Sequence, residues 1–212
     1  MFRPNTNRRP RPVRLLPRTR VVSLLVLASL VLAGLGAYSV AQPSNCMTLV
    51  DDAAFDSGSG WQSSTSGDYV VASDFLTYRG AGAAHLAGVD NATDQLFTTL
   101  TLPADKPEVT LTFWWQIHSE EESGEFDSLT VLVTDLAGNA LRSLLTLGSD
   151  SASQQWQQSV LDLSEFAGQS IQLKFLAQTD SSLVTDFFVD DVTVTACGGA
   201  AEHRVFLPVT QR

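Results

Sequence analysis

Apolar and polar residues alternate along several stretches of the chain, most clearly in residues 108–118. One set of alternate positions in this stretch is entirely apolar and the other is mainly polar: Val109, Leu111, Phe113, Trp115 and Ile117 against Thr110, Thr112, Trp114 and Gln116. A period of two residues is typical of a β-strand, because successive side chains point to opposite faces of a sheet. The stretch therefore predicts an antiparallel strand with one buried face.

The same period recurs elsewhere and predicts an all-β fold. It is strong in residues 127–134 and 171–178, and weaker candidate strands lie at residues 47–51, 69–73, 83–87, 96–102, 141–147, 156–163 and 186–195. Clusters of Gly, Pro, Ser and Asn separate the candidates, and helical periodicity does not extend beyond a turn at residues 164–166. About ten strands of this kind predict a two-sheet antiparallel β-sandwich of the jelly-roll type.

The first 41 residues carry the features of an export signal. Seven of the 13 basic residues precede Val21, and a largely apolar run follows. Ser39-Val40-Ala41 offers the small side chains that signal peptidase requires, so we predict cleavage before Gln42 and a secreted or cell-surface protein. The alternative is an uncleaved membrane anchor, because the run approaches the roughly 20 residues that span a bilayer. The predicted organisation is a signal segment at 1–41, a sandwich domain at 42–197 and a linker with a short tail at 198–212.

The remainder of the chain is strongly acidic. All 23 acidic residues follow Gln42, together with only six of the basic ones. Such a surface repels the phosphates of nucleic acids and anionic membranes. We therefore predict no nucleic-acid partner, and a membrane contact only through an uncleaved anchor. Divalent cations remain compatible with this charge.

Two cysteines, Cys46 and Cys197, bracket nearly all of the patterned sequence. In an exported protein two thiols normally oxidise to a disulfide, so we predict that they pair. The bond would place the first strand beside the last. Two cysteines alone cannot supply the four ligands of a structural zinc site.

A series of short motifs runs through the patterned region. The motifs are Phe55-Asp56-Ser57-Gly58 with Trp61, Leu111-Thr112-Phe113-Trp114-Trp115, Phe126-Asp127-Ser128-Leu129-Thr130-Val131, Trp156, Leu161-Asp162-Leu163-Ser164-Glu165-Phe166-Ala167-Gly168-Gln169 and Phe188-Val189-Asp190-Asp191-Val192. The series resembles bacterial jelly-roll modules of the MAM-like and galactose-binding-like type, which accompany immune-inhibitor-A-type peptidases and many glycoside hydrolases. The resemblance implies a non-catalytic module that binds polysaccharide, protein or a cell surface. It also implies a structural calcium where early and late strands meet, as many of these modules have.

Carboxylate placement supplies a candidate site for that calcium. Asp52 and Asp56 follow the first predicted strand, while Asp190 and Asp191 lie in the last. The predicted disulfide would bring the two pairs together, and calcium takes six to eight oxygen ligands. The alternative is that these aspartates cap turns and hydrogen-bond within the sheet. Because Asp190 and Asp191 should face opposite sides of a regular strand, a bulge or a metal is needed to tolerate the inward one.

A second acidic group lies between the two strongest strands. It consists of His118, Glu120, Glu121, Glu122, Glu125 and Asp127, and its spacing does not match an EF-hand loop. We interpret it as a solvated, charged loop, because runs of like charge are usually solvated, with a metal role as the alternative.

The tryptophans supply the candidate ligand contacts. Trp114 lies on the polar face of its strand beside Gln116, where an exposed ring would stack on a sugar while the amide bonds its hydroxyl groups. The alternative is that Trp114 packs beneath a loop or against a second layer. We assign structural roles to Trp61 and Trp156.

Catalytic motifs are absent from the sequence. It contains no His-Glu-x-x-His, no Gly-x-Ser-x-Gly and no glycine-rich phosphate loop. We therefore predict a non-catalytic binding module for carbohydrate or an extracellular surface component. The alternatives are a structural or adhesive protein-binding sandwich stiffened by calcium, and a hydrolase whose site the sequence does not reveal.

Overall fold

The computed structural model describes residues 45–66, 72–73, 75–121 and 126–198. These residues form eleven strands and two single-turn 3₁₀-helices, Ser149–Ser151 and Ser164–Phe166. The strands are β1 (Cys46–Thr48), β2 (Gln62–Ser64), β3 (Ala72–Ser73), β4 (Ala83–Ala87), β5 (Thr93–Thr101), β6 (Glu108–Ser119), β7 (Ser128–Thr134), β8 (Ala140–Gly148), β9 (Ser153–Asp162), β10 (Ser170–Gln178) and β11 (Thr185–Cys197).

The strands form two antiparallel sheets that pack as a sandwich. The six-stranded sheet has the order β3-β4-β11-β6-β9, with β1 paired to the end of β11, and the five-stranded sheet has the order β2-β5-β10-β7-β8. The chain changes sheet at most connections from β4 onward, as a jelly roll does. The predicted all-β sandwich is confirmed. The strand that the sequence missed is β2, because its three residues are polar and exposed and carry no alternation.

The core lies between the sheets and follows the predicted alternation. The apolar positions of β6 are all buried, and so are those of β10. Phe113 of one sheet meets Phe175 of the other edge to face, with 5.3 Å between ring centroids. Packing of this kind, through roughly 25 cal/mol per Å² of apolar surface removed from water, is the main stabilisation of the sandwich.

A bulge in β11 keeps both adjacent aspartates, Asp190 and Asp191, out of the core. Pairing with β6 shifts register between Asp190 and Thr193, and Asp191 adopts a left-handed backbone with φ of 47°. The extra residue lets Val189 and Val192 both reach the core, while Asp190 lies on the opposite side of the sheet. Of the two alternatives that the sequence left open, a bulge or a metal, the bulge is present.

The disulfide between Cys46 and Cys197 is confirmed. The two residues are direct partners in the β1–β11 pairing and are 151 positions apart in the chain. Within the described ranges, no helix is long and apolar enough to cross a membrane. The predicted signal segment 1–41 and all of the predicted tail beyond Gly198 lie outside the described residues.

Candidate functional site

The outer face of the six-stranded sheet collects aromatic and polar side chains. Trp114, Gln116 and His118 follow one another on this face of β6. Directly opposite them on β11 lie Asp190, Phe188 and Asp186, in that order. Directly opposed residues of antiparallel strands share a face, so these side chains form two neighbouring rows. We call this surface the outer face.

Tyr78 lies flat against Trp114 on the outer face. Their ring centroids are 4.0 Å apart with planes inclined by 16°, and Trp156 approaches Tyr78 at 5.9 Å with a tilt of 58°. Tyr78 is 37% exposed, whereas both tryptophans are half-buried. The loop that carries Tyr78 thus covers one face of the Trp114 ring, which corresponds to the alternative that Trp114 packs beneath a loop. Tyr78 is the most exposed of these three rings.

A second group of rings continues the outer face toward β4. His85 stacks on Phe188 with centroids 4.7 Å apart, and its Nε2 atom lies 2.7 Å from Oδ1 of Asp186. Phe75 stacks beside both rings at 6.1 Å and is 73% exposed. This end of the face therefore exposes an apolar ring, with the hydrogen-bonded His85–Asp186 pair beside it.

A pocket of about 630 Å³ opens beside these rings, where the β6–β9 pairing shifts register between Trp115 and Ile117. Inside it, Gln116 Nε2 donates a hydrogen bond to His118 Nε2 over 2.8 Å. The volume is typical of small-ligand sites, and amide, imidazole and hydroxyl groups are suited to binding hydroxyl-rich ligands. The pocket is lined by Gln116, Ile117, His118, Ser119, Ala152, Ser153 and Gln154.

Two of the predicted calcium ligands hold the loop that carries Tyr78, residues 75–82, which we call the Tyr78 loop. Asp190 Oδ2 accepts hydrogen bonds from the backbone N–H groups of Tyr78 (2.7 Å) and Arg79 (2.9 Å). Asp56 Oδ1 accepts one from Ala81 at 2.6 Å. Gly80 has φ of 72°, and a Cβ there would lie 2.4 Å from Asp56 Oδ1, so the close approach requires glycine. The aspartates thus position the exposed ring.

The other two predicted ligands also have protein partners. Asp191 forms an ion pair with Arg79 at 3.5 Å. Asp52 accepts backbone N–H groups of its own loop, from Asp56 at 3.0 Å, Ser57 at 2.9 Å and Ser59 at 3.2 Å. These contacts correspond to the turn-capping alternative for Asp52 and Asp56. Calcium at the four aspartates stays a prediction.

Asp190 is the most unusual carboxylate of the outer face, because it is fully buried. Burial, and to a smaller extent the negative charge of Asp191, raise its pKa, while backbone N–H groups of Arg79, Asp191 and Tyr78 lower it. The raising causes prevail, so the pKa of Asp190 lies above its ordinary value.

The pKa of Asp52 moves in the opposite direction. Burial raises this pKa, but hydrogen bonds from Ser57, Asp56 and Gly58 together lower it below the ordinary value of 3.8. A carboxylate whose pKa falls on folding stabilises the folded state above the unfolded pKa, and the contribution is lost as pH falls through the folded pKa.

We expect the thermal stability of the wild type to fall as pH drops below about 4, and Asp52→Asn to reduce that slope. The amide removes the ionisation and keeps one of the two carboxylate oxygens as an acceptor for the loop N–H groups. Thermal unfolding monitored between pH 6 and pH 2.5 tests this, with Asp51→Asn as the matched control. An unchanged slope in Asp52→Asn, or an equal reduction in the control, would contradict it.

The second acidic group differs from the solvated loop that the sequence predicts. Asp127 is fully buried, which corrects that interpretation for this residue. Its side chain and that of Glu121 lie beside Asp180, which comes from the β10–β11 connection. Glu122 and Glu125 lie outside the described residues. Sequence reasoning missed Asp180, because nothing in its local pattern relates it to a loop more than 50 residues away.

The fold defines a class of protein: jelly-roll domains that are typically non-catalytic binding modules. Residues 54–198 match the family model described as "MAM domain, meprin/A5/mu". The chain therefore belongs to the MAM domain family, as the motif resemblance indicated. No curated protein matches the chain.

Two solved structures illustrate the shared fold. TmCBM61, solved in complex with β-1,4-galactotriose, has a TM-score of 0.54 and 16% identity, covering 70% of this chain and 97% of that one. The K3 cleaved adhesin domain of Lys-gingipain from Porphyromonas gingivalis W83 has a TM-score of 0.51 and 18% identity, covering 70% and 99%. At these identities the similarity is one of fold.

Proposed function

We propose that this chain is a secreted, non-catalytic module that binds a saccharide on the outer face, with residues 1–41 as its signal peptide. The observation that carries the proposal is the position of the Tyr78–Trp114 stack beside the pocket of Gln116 and His118. An exposed ring and a set of polar groups therefore lie on one continuous surface.

The chemistry of this surface suits a sugar chain. The apolar face of a pyranose packs on an aromatic ring, and its hydroxyl groups need donors and acceptors close by. Tyr78 provides the ring, while Gln116, His118 and Ser153 provide polar groups. Because the domain is acidic, a neutral saccharide avoids the repulsion that an anionic one would meet.

Similarity of fold supports the ligand class. TmCBM61, whose structure holds β-1,4-galactotriose, shares the sandwich architecture across nearly its whole length. Its identity with this chain is 16%, so it supports only the proposal of a saccharide as the class of ligand. The identity of the sugar must be determined by binding measurements.

A glycan array probed with the purified domain is expected to identify a neutral oligosaccharide, and Tyr78→Ala is expected to weaken its binding at least tenfold. Tenfold corresponds to about 1.4 kcal/mol, the size of one lost aromatic contact. Trp114→Ala should have a similar effect, because it removes the ring on which Tyr78 rests. Titration calorimetry with the best array ligand gives the affinities.

Phe126→Ala is the matched control, since Phe126 is 61% exposed and belongs to the β6–β7 connection rather than to the outer face. It should leave the affinity unchanged. The proposal is wrong if the array shows no ligand, or if Tyr78→Ala and Trp114→Ala bind as tightly as the wild type.

A second candidate function is adhesion to a protein surface. The observation that favours it is Phe75, a 73% exposed ring at the apolar end of the outer face. If a protein is the ligand, binding to cells should survive glycosidase treatment, disappear after protease treatment and be lost in Phe75→Ser. Binding lost after glycosidase treatment and in Tyr78→Ala supports the saccharide instead.

A further inference from the structure

We infer that Glu121, Asp127 and Asp180 bind a calcium ion that ties the β6–β7 connection to the β10–β11 connection. These residues are distinct from the four aspartates for which the sequence predicts calcium. The ion would be structural, joining two segments that are close in the fold and far apart in sequence.

The donor atoms are close enough together to share one ion. One carboxylate oxygen from each residue lies within 4.8 Å of the other two. Calcium–oxygen distances are about 2.3–2.6 Å, so two ligands on opposite sides of the ion are about 4.6–5.2 Å apart. The arrangement therefore has the dimensions of a calcium coordination shell.

Asp127 supplies the observation that points to a ligand. The residue is 0% exposed, and its Oδ1 atom accepts the backbone N–H of Asp180 at 2.8 Å. Its Oδ2 atom is also buried and has no hydrogen-bond partner within the described part of the chain. A buried carboxylate oxygen without a donor destabilises the folded state, because it has lost its hydrogen bonds to water and gained none in return. A cation between the three carboxylates removes that cost.

The three carboxylates have no positively charged partner among the described residues, which agrees with a cation as their ligand. No ion pair among the described residues involves Glu121, Asp127 or Asp180. Like charges held this close repel one another unless a counter-ion lies between them.

Hydrogen bonds to neighbouring residues hold the proposed ligands in place. Asp180 Oδ1 accepts the N–H of Ser182 at 2.9 Å, and Ser119 Oγ accepts the N–H of Glu121 at 3.1 Å. Ser119 Oγ also lies 2.8 Å from Thr185 Oγ1, so the ends of β6 and β11 are joined beside the site. Ser119 lines the pocket of the outer face as well, so the ion would stiffen one wall of that pocket.

The donor chemistry selects calcium. All three ligands are carboxylates, whereas zinc sites in proteins are built mainly from cysteine and histidine. Magnesium demands a near-ideal octahedron at 2.0–2.1 Å and is seldom held by an all-protein cage. Calcium accepts irregular sets of six to eight oxygens, which bidentate carboxylates, backbone carbonyls and water complete.

The test is calcium binding by the purified protein after treatment with EDTA and dialysis. Titration calorimetry with CaCl₂ should give one ion per chain, and the thermal unfolding midpoint should rise with calcium. Glu121→Gln and Asp180→Asn should each weaken calcium binding at least tenfold and remove most of the thermal shift. Glu121 is partly exposed, so its variant is expected to fold even if Asp127→Asn does not.

Two controls separate this site from other acidic residues. Asp150→Asn alters an exposed carboxylate whose described hydrogen bond is with Ser151, and should leave calcium binding unchanged. Asp191→Asn, at the site predicted from the sequence, should also leave it unchanged. The assignment is overturned if no calcium binds, if Glu121→Gln and Asp180→Asn bind normally, if Asp191→Asn abolishes binding, or if MgCl₂ binds as tightly as CaCl₂.

Discussion

Replacing both cysteines, as in Cys46→Ala with Cys197→Ala, is expected to lower the free energy of unfolding by about 5 kcal/mol. The disulfide joins positions 151 residues apart, so it removes a large part of the conformational freedom of the unfolded chain. In the chain-entropy model the stabilisation grows with the logarithm of the loop length. The folded state changes little, because both cysteines lie at the end of the six-stranded sheet, outside the core cluster.

Guanidinium unfolding followed by tryptophan fluorescence measures this loss. A reductant should produce nearly the same loss in the wild type and no further loss in the double variant. A decrease below about 1 kcal/mol would show that β1 detaches without affecting the remainder of the sandwich. That result would contradict the role of the bond as the closure of the domain.

Asp190→Ala is expected to lower the free energy of unfolding by about 3 kcal/mol and to release the Tyr78 loop. Three backbone N–H groups donate to this buried carboxylate, and hydrogen bonds to charged groups are worth about 1.5–3 kcal/mol each before relaxation. Water entering the vacated space would recover part of the loss. The stack of Tyr78 on Trp114 would then lose its support, so saccharide affinity should fall together with stability.

Asp190→Asn separates the contribution of hydrogen bonding from that of the negative charge. The amide oxygen still accepts from the Tyr78 loop, while the charge is removed. The raised pKa of Asp190 means that its ionisation opposes folding, a penalty absent below the unfolded pKa and incurred as pH rises through the folded pKa. Chemical unfolding at pH 7 and pH 4 should therefore show a smaller deficit for Asp190→Asn than for Asp190→Ala. Equal stability of Asp190→Ala and the wild type would contradict the role of this carboxylate.

Sequence periodicity predicted the elements that bury one face. In β6 and β10 each inward position is apolar, so the alternation shows which face of each strand is buried in the core. The cysteine pair was also predictable, because two thiols in an exported chain normally oxidise to a disulfide. The β11 bulge was one of two alternatives, since a bulge or a metal could accommodate the inward member of two adjacent aspartates.

The surface features were less predictable because they depend on contacts between distant segments. Nothing near Trp114 in the sequence shows that Tyr78, 36 positions earlier, covers its ring. The burial of Asp127 depends on the β10–β11 connection that supplies Asp180. β2 is a three-residue strand that pairs with β5, and a short run of exposed polar residues leaves no pattern to recognise.

The position of the disulfide also determines how the domain carries load. Tension applied to the segments on either side of the sandwich enters at Cys46 and leaves at Cys197, which are joined directly by a covalent bond. The force therefore passes through the disulfide and does not load the hydrogen bonds between the strands of the two sheets. The outer face would keep its shape while the module is pulled.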